Sequence, residues 1–327
     1  MSNSEPLVSI ITPVYNGEKY LAECIESVLN QSYKNWDYCI VNNCSTDKTR
    51  EIAEEYARKD PRIRVHNNSA FLNIYDNLNH AMRQLAPGSK YCKVVHADDL
   101  LFPECVEKMV QLAERHPEIG IVGAYGLRGK EVVWDRLIPL GSPVIPGRNV
   151  CRSILLGEPY VFGSPTSTLI RADLVRKKAD FYNVINPNPD AEVCFELLKE
   201  SDFGFVHQVL TYTRVHEESQ TTKDSKVGSL VFGKLVTLQK FGPVYLTKDE
   251  FEERVDRWRL WFSVCCAKYL LEGRLISFLK YNLPRMKQIG FKLSVLSCIK
   301  AVIKGLRHIR FSVGNGAICL SYRKMLF

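Results

Sequence analysis

Several things are missing from this 327-residue chain, and each absence closes off a class of function. Its eleven cysteines include one adjacent pair, Cys265-Cys266, but no Cys-x-x-Cys, so zinc-ligand spacing is lacking. No apolar run reaches the roughly 18 to 20 residues that a membrane-spanning helix requires. The opening MSNSEPLVSII has neither the basic start nor the long apolar centre of a signal peptide. Reduced thiols in a cytoplasmic protein are the expectation. No Gly-x-Gly-x-x-Gly follows the first apolar run, which argues against a dehydrogenase. There is no internal repeat and no low-complexity segment.

Acid is scarce at one end. Residues 254–327 hold fifteen Lys or Arg against Asp256 and Glu272 alone, whereas the other 253 residues are net negative by five. The overall charge of +8 is therefore a property of the tail, and the two parts are expected to meet different partners. With 46% hydrophobic and 10% aromatic residues, the chain has material for one large packed domain or a domain plus an appendage.

The first half alternates. LVSIITPV (7–14) reads as a buried strand, and Leu21, Ile25, Val28 and Leu29 then recur at helical spacing. WDYCIV (36–41) is a second strand, followed by STDKT (45–49), whose residues suit a helix start. RIRV (62–65), a helix near 74–85 and YCKVV (91–95) repeat the scheme. A helix from Pro103 to His116 and the strand IGIVGAY (119–125) close it. This alternation predicts crossovers, hence a largely parallel sheet covered on both faces, with ligands beyond the carboxyl ends of its strands. TPVYN (12–16) and HADD (96–99) both fall at such ends. Further on, SPTSTLIR (164–171) is strand-like, 190–198 helical and 204–216 alternating, and after about 225 the chain reads as mainly helical.

Within HADD, Asp98 and Asp99 are adjacent like charges at a strand end, where neither sheds its charge cheaply. Alone, the pair is explained by helix capping. The alternative is a bound divalent cation, since magnesium and manganese take oxygen ligands, with one or two carboxylates from protein and the rest from water and phosphate. On an extended segment the two side chains point to opposite sides, so only one reaches the metal directly without a bend; Asp99 is taken as that ligand, with Asp98 left for a sugar hydroxyl or ribose.

LVSIITPVYNGEKYLAECIESVLNQSY (7–33), WDYCIVNNCSTDKT (36–49) and HADDLLFPECVEKMV (96–110) together resemble the inverting nucleotide-sugar glycosyltransferases of family two. The likeness is close over about 7–125 and looser over 163–216. It implies the α/β fold called GT-A, with a catalytic domain over 1–225 and a helical, basic extension over 226–327. The nucleotide-sugar half would be about 1–125 and the acceptor half about 126–225. It implies that Thr12, Pro13, Tyr15 and Asn43 line the nucleotide base, Tyr15 by stacking, and that Asp98 and Asp99 hold the ribose, metal and diphosphate side with Mn2+ or Mg2+. It implies an acidic base near the start of a later helix, and PDAEVCFELL (189–198) puts Asp190 there with Glu192 two places on. The other reading of Asp190 is an acid favourably set on the helix dipole. YTRVHEES (212–219) resembles a Tyr-Arg-x-His segment, in which His216 completes a metal site and Arg214 neutralises phosphate. A structural role for His216 is the alternative. GSPTST (163–168) either shapes the acceptor pocket or is simply a turn entering a strand.

Three departures stand out. Asn42-Asn43-Cys44-Ser45 occupies the place of the family's Asp-Asp-Gly-Ser, so an amide faces where an acid usually would; uracil recognition remains feasible because an amide both donates and accepts. His96 replaces the first acid of the metal motif, as a packed histidine or a substrate contact. Pro189 replaces a Glu, which a first helical turn tolerates.

The function expected is a metal-dependent inverting transfer from a nucleotide sugar, a UDP-sugar in the first instance, to a hydroxyl of a saccharide or lipid-linked acceptor in cell-surface polysaccharide biosynthesis. The alternatives are a nucleotidyltransferase on the same fold, although TPVYNGEKY offers only Gly17 for a phosphate loop, and a non-catalytic binding protein. In the tail, 292–310 sets Leu296, Ile299, Val302, Ile303, Leu306 and Ile309 on one stripe and Lys300, Lys304, Arg307 and Arg310 on another. Such a helix suits an anionic membrane surface, at the inner face of the plasma membrane, or packs on the catalytic domain. Nucleic acid is not expected, since no recognisable module accompanies the charge.

Overall fold

The computed structural model describes residues 5–133, 138, 141–217, 226–291, 293, 295–306, 309–314 and 317–322. Two compact units emerge. The first comprises 1–150, 160–185 and 189–215, and the second 151–159, 186–188 and 216–327.

The first unit opens with β1 (Val8–Val14), α1 (Leu21–Leu29), β2 (Trp36–Asn42), α2 (Thr49–Lys59), β3 (Ile63–Asn67), α3 (Ile74–Met82) and β4 (Tyr91–Val94). Strand β1 is buried on both faces apart from Pro13, as its unbroken apolar run requires. Helix α1 turns Leu21, Cys24, Ile25 and Val28 into the core, the i, i+3, i+4, i+7 set of one face. Next come β5 (Leu100–Leu101), α4 (Cys105–Arg115), β6 (Ile119–Arg128), β7 (Glu131–Val133), β8 (Val144–Ile145) and α5 (Gly147–Leu155), whose residues from Cys151 on belong to the second unit. Then follow β9 (Thr168–Arg171), α6 (Ala172–Arg176), α7 (Pro189–Leu197) and β10 (Asp202–Thr213).

The strands form one sheet in the order β3-β2-β1-β4-β9-β6-β10-β5, with β7 beside β6 and β8 beside β10. Strands β1 to β4 are mutually parallel, and so are β6 and β10. The remaining pairings, β4 with β9, β6 with β9 and β7, and β10 with β5 and β8, are antiparallel. The sheet is thus mixed rather than largely parallel. The physical reason is that β9 enters from a tight turn instead of a helical crossover. That turn is a single 3-10 turn at Pro165–Ser167, so the strand-like stretch 164–171 divides into turn and strand. Because β2 lies on one side of β1 and β4 on the other, chain direction across the sheet reverses between β1 and β4, where open α/β sheets gather ligands.

The second unit carries α8 (Ser229–Tyr245), α9 (Lys248–Leu271), α10 (Leu275–Gln288) and α11 (Val295–Leu306). Helix α9 starts at a reciprocal capping box between Thr247 and Glu250. The end of the chain departs from the helical expectation. Helix α11 stops at Leu306, and Ile309–Gly314 (β11) pairs antiparallel with Ala317–Tyr322 (β12), so Ile309 and Arg310 stand on a strand. Alternation of Ile309, Phe311 and Val313 followed by Asn315-Gly316 is a hairpin signal in the sequence itself. Lys292 and Arg307 lie outside the described residues. Among those described, no helix is long and apolar enough to cross a membrane.

Candidate active site

Three strand ends meet at the reversal point. At the end of β2 every polar side chain is committed to the protein itself. The Asn42 amide donates to Asn67 Oδ1 at 2.8 Å and accepts from the Ser45 N–H at 3.2 Å. Asn43, 2% exposed, donates to the Leu72 carbonyl at 2.8 Å and accepts from the Leu72 N–H at 2.9 Å, in the manner of a neighbouring strand. Asn68 donates to the same Asn43 oxygen at 2.9 Å. The amide expected to face a nucleotide base is therefore used to pin the loop between β3 and α3. Asp47 accepts from the Glu18 N–H at 3.0 Å and from Thr49, while Glu18 accepts from the Lys48 N–H at 3.0 Å, which laces the loop after β1 to the loop after β2. Burial raises the Asp47 carboxyl, but the hydrogen bonds from Thr49 and Glu18 outweigh it and hold the group below its ordinary value.

On β1, Thr12 is fully buried, donating to the Val95 carbonyl at 2.8 Å and paired with the Tyr38 hydroxyl at 2.9 Å. It ties β1 to its neighbours, and Pro13 beside it is half-buried. Tyr15 is 49% exposed and meets Phe71, 60% exposed, edge to face at 4.9 Å. Two exposed aromatics in contact at a strand end form a stacking surface for a planar ring. Phe71 directly precedes the pinned Leu72, and the sequence reading missed it.

At the end of β4 the chain turns tightly. The Asp99 N–H donates to the His96 carbonyl at 2.9 Å, so the segment is not extended and the opposite-sides argument for Asp98 and Asp99 does not apply. Asp99 is 3% exposed, whereas Asp98 is half-buried. Burial pushes the Asp99 carboxyl up to about 6, His96 pulls it down, Asp98 pushes it up, and hydrogen bonds from the Thr166 hydroxyl and the Arg214 N–H pull it down again. Arg214 closes over the turn. Its N–H donates to Asp99 Oδ1 at 3.2 Å, its Nε to the Asp98 carbonyl at 2.9 Å, and its Nη2 pairs with Glu23 at 2.8 Å. Its guanidinium also lies 4.6 Å from the Tyr20 ring centre. The side chain expected to neutralise phosphate thus holds the acidic turn in shape.

Behind the turn lies a group unnoticed in the sequence, although a lysine inside the apolar run YCKVV is itself a signal. Lys93 is fully buried on β4, its ammonium donating to the carbonyls of Thr166 at 2.5 Å and Thr168 at 3.1 Å. Thr166 Oγ1 in turn accepts from the His96 N–H at 3.1 Å.

Asp190 is the second residue of α7, behind Pro189, as the helix-start reading required. It lines a cavity of about 10 Å³ with Phe162, Ser164, Pro165 and Tyr182. Burial raises its carboxyl, partly offset by hydrogen bonds from the Ala191 and Asp190 N–H groups and by the charge of His96. The charge of His96 thus lowers both Asp99 and Asp190. Glu192 is buried and accepts from the Asn183 amide at 3.2 Å, a bond that shapes the approach to α7. Asn79, also missed, holds Tyr182 by both amide atoms at 2.8 and 2.7 Å, just as Asn43 holds Leu72. His216 belongs to the second unit, half-buried just beyond β10.

The donor set at Asp98 and Asp99 is hard oxygen, and the like-charge pair is one a divalent cation relieves. Both features fit magnesium or manganese. Among the described residues no group of three or more His, Cys, Asp or Glu is arranged for a metal, leaving the remaining positions to phosphate and water.

The family described as "Glycosyl transferase family 2" matches residues 9–177, just over half of the sequence. The chain belongs to glycosyltransferase family 2. EpsE of Bacillus subtilis, named a glycosyltransferase, is 32% identical over 224 residues, 68% of this chain and 77% of EpsE. TuaG of the same organism, named for teichuronic acid biosynthesis, is 49% identical over 65 residues, 20% of this chain and 26% of TuaG. Residues 1–349 of S. aureus TarS, solved with UDP-GlcNAc, share the fold at TM-score 0.61 and 16% identity, covering 98% of this chain and 97% of that one. The mannosyltransferase PcManGT of Pyrobaculum calidifontis, solved with GDP-Man and Mn2+, shares it at TM-score 0.56 and 14% identity, with 93% and 88% covered. This family 2 member is a glycosyltransferase of mixed α/β fold, with a GT-A-like first unit.

Proposed function

We propose that this glycosyltransferase moves a sugar, with inversion, from a nucleotide-sugar donor to a hydroxyl of a saccharide acceptor in cell-surface polysaccharide synthesis. The observation that carries the proposal is the buried acidic turn after β4, which sets Asp99 beside Asp98 at the point where the sheet reverses direction. UDP-sugars lead among donors because TarS binds UDP-GlcNAc, with GDP-sugars next because PcManGT binds GDP-Man.

The base stacks on Tyr15, with Asn43 shaping its pocket through the Leu72 backbone. Asp98 and Asp99 are the residues that would hold Mg2+ or Mn2+, which when bound supplies charge stabilisation to a departing diphosphate. Arg214 keeps their turn in register. Asp190 accepts the proton of the incoming hydroxyl on the face opposite the leaving nucleotide, and a carboxyl raised toward neutrality is a stronger base than an ordinary one. Incubation with UDP-GlcNAc or GDP-Man plus Mn2+ should release nucleoside diphosphate, and the release should vanish in Asp99→Ala. Pyrophosphate release would point to a nucleotidyltransferase, and binding without turnover to a non-catalytic role.

The second unit suits an anionic membrane surface facing the cytoplasm, where a lipid-linked acceptor would be met. Ile299 and Ile303, 53% and 51% exposed, share one face of α11 with exposed Leu306, and Lys300 and Lys304 are exposed beside them. The double variant Ile299→Ser/Ile303→Ser should bind liposomes containing phosphatidylglycerol more weakly than the parent. Equal binding by both would remove the membrane from the scheme.

A further inference from the structure

We infer that Lys93 and Thr166 are positioning residues for transfer: one buried ammonium fixes the Pro165–Ser167 turn, and the turn in turn fixes both acids of the site. The inference rests on the proposed roles of Asp99 and Asp190.

Lys93 has no exposed surface, and no carboxylate lies within ion-pairing distance of it among the described residues. Burying a cation without a paired anion is unfavourable unless its donors are met in another way. Here they are met by two main-chain carbonyls, Thr166 and Thr168, with Met109 Sδ at 3.8 Å on the third side. A residue with only one donor cannot hold two such carbonyls at once, and burial lowers the lysine's affinity for its proton, which Cys105, Cys92 and Asp99 nearby offset only in part.

The turn it grips has two working sides. Toward β4, the Thr166 hydroxyl accepts from the His96 N–H at 3.1 Å and gives its own proton to Asp99, a full use of one hydroxyl. Toward α7, Ser164 and Pro165 wall the cavity that Asp190 lines. The turn that carries the acidic pair and the wall beside Asp190 are thereby linked through a single side chain. Tyr15 and the end of β2 take no part in the linkage. Loosening it should disturb chemistry and leave base binding alone.

Two variants and a conservative partner test this. Lys93→Met keeps the length and removes the charge and donors, Thr166→Val removes the hydroxyl at constant shape, and Thr166→Ser restores it. With UDP-GlcNAc or GDP-Man, whichever the parent turns over, Lys93→Met and Thr166→Val should lose at least tenfold in kcat. The affinity for the nucleoside alone, uridine or guanosine, should stay within about twofold, and Thr166→Ser should recover most of the loss. Hydrogen exchange should quicken in 163–170 for Lys93→Met and stay unchanged in 8–16. Parental turnover in Thr166→Val and Lys93→Met overturns the inference, and so does a loss of kcat accompanied by equal weakening of nucleoside binding and faster exchange throughout the first unit. If the parent turns over neither donor, the proposed function fails on its own. Exchange then still decides, since unchanged protection of 163–170 in Lys93→Met sinks the anchor and local loss sustains it.

Discussion

The ends of β2 and β4 lie a strand apart and are built on opposite principles. After β2, the side chains of Asn42, Asn43 and Asp47 spend their hydrogen-bonding capacity on neighbouring backbone and side chains. After β4, two adjacent acids are held at a buried turn with one carboxyl pushed up to about 6. In the first arrangement the polar side chains are satisfied within the protein, whereas in the second burial and a like charge disfavour an ionised carboxylate. The contrast extends to pH. Asp47 is depressed, so its share of stability is present above the ordinary carboxylate range and lost as pH falls through its lowered folded value. Asp99 is raised, so its contribution is fully present below the unfolded value near 4 and is lost as pH rises through about 6.

The largest break of that contrast comes from the chemistry beyond it. Asp190→Asn should retain nucleotide binding and lose roughly a hundred- to ten-thousand-fold in transfer, the usual worth of a general base. Steady-state transfer alongside calorimetric nucleotide titration checks both halves, and near-parental transfer would remove Asp190 from its role. In the parent, kcat/KM should fall on the acid side as the raised Asp190 carboxyl takes up its proton.

A smaller effect, on stability alone, should come from Asp99→Asn. Holding an ionised carboxylate whose pKa lies about two units above its ordinary value costs about 3 kcal/mol as an upper figure. In metal-free protein at pH 7.5 or so the variant should unfold at higher urea than the parent, and the gain should shrink between pH 6 and 4. A parent that is the more stable of the two at neutral pH, without metal, would mean that the turn stores no such charge. At the β2 end the sign should reverse. Asn43→Ala strands the Leu72 N–H and carbonyl, at about 1–3 kcal/mol for each unpaired buried group, less where water reaches in. A loss of about 2 kcal/mol in urea unfolding, with faster exchange in the 68–73 loop, is the expected outcome.

Much of this was legible in the sequence. The strand and helix alternation through β6 came from apolar periodicity, and HADD, Asp190 and Tyr15 stand at strand or helix ends as read. What the letters did not carry was partnership. Asparagine 43 resembles a base-reading amide until Leu72 is seen to occupy both its ends, and Asn79 with Tyr182 repeats the device over about a hundred residues of chain. Nothing in local periodicity encodes such a contact. The turn at 97–98 escaped for a different reason: Ala-Asp-Asp has no glycine or proline, and Arg214, which clamps it, arrives from the far end of β10. The closing hairpin was available in the alternation of 309–313 and was overridden by the helical stripe before it.

The finest test concerns one backbone position. Cys44 has φ +57°, the left-handed region, in the place where the family usually carries glycine. A side chain there costs about 1–2 kcal/mol, while glycine forfeits about 0.5–1 kcal/mol through the freer unfolded chain. Cys44→Gly should therefore stabilise by about 0.5 kcal/mol, less whatever the thiol gains from donating to the Asn68 carbonyl at 3.3 Å. Cys44→Ala keeps the backbone cost and removes only the thiol, so the difference between the two variants in thermal unfolding isolates the backbone term. If Cys44→Gly is no more stable than Cys44→Ala, the left-handed backbone at residue 44 costs nothing measurable, and the β2 end differs from the β4 end in its backbone as well as in its charge.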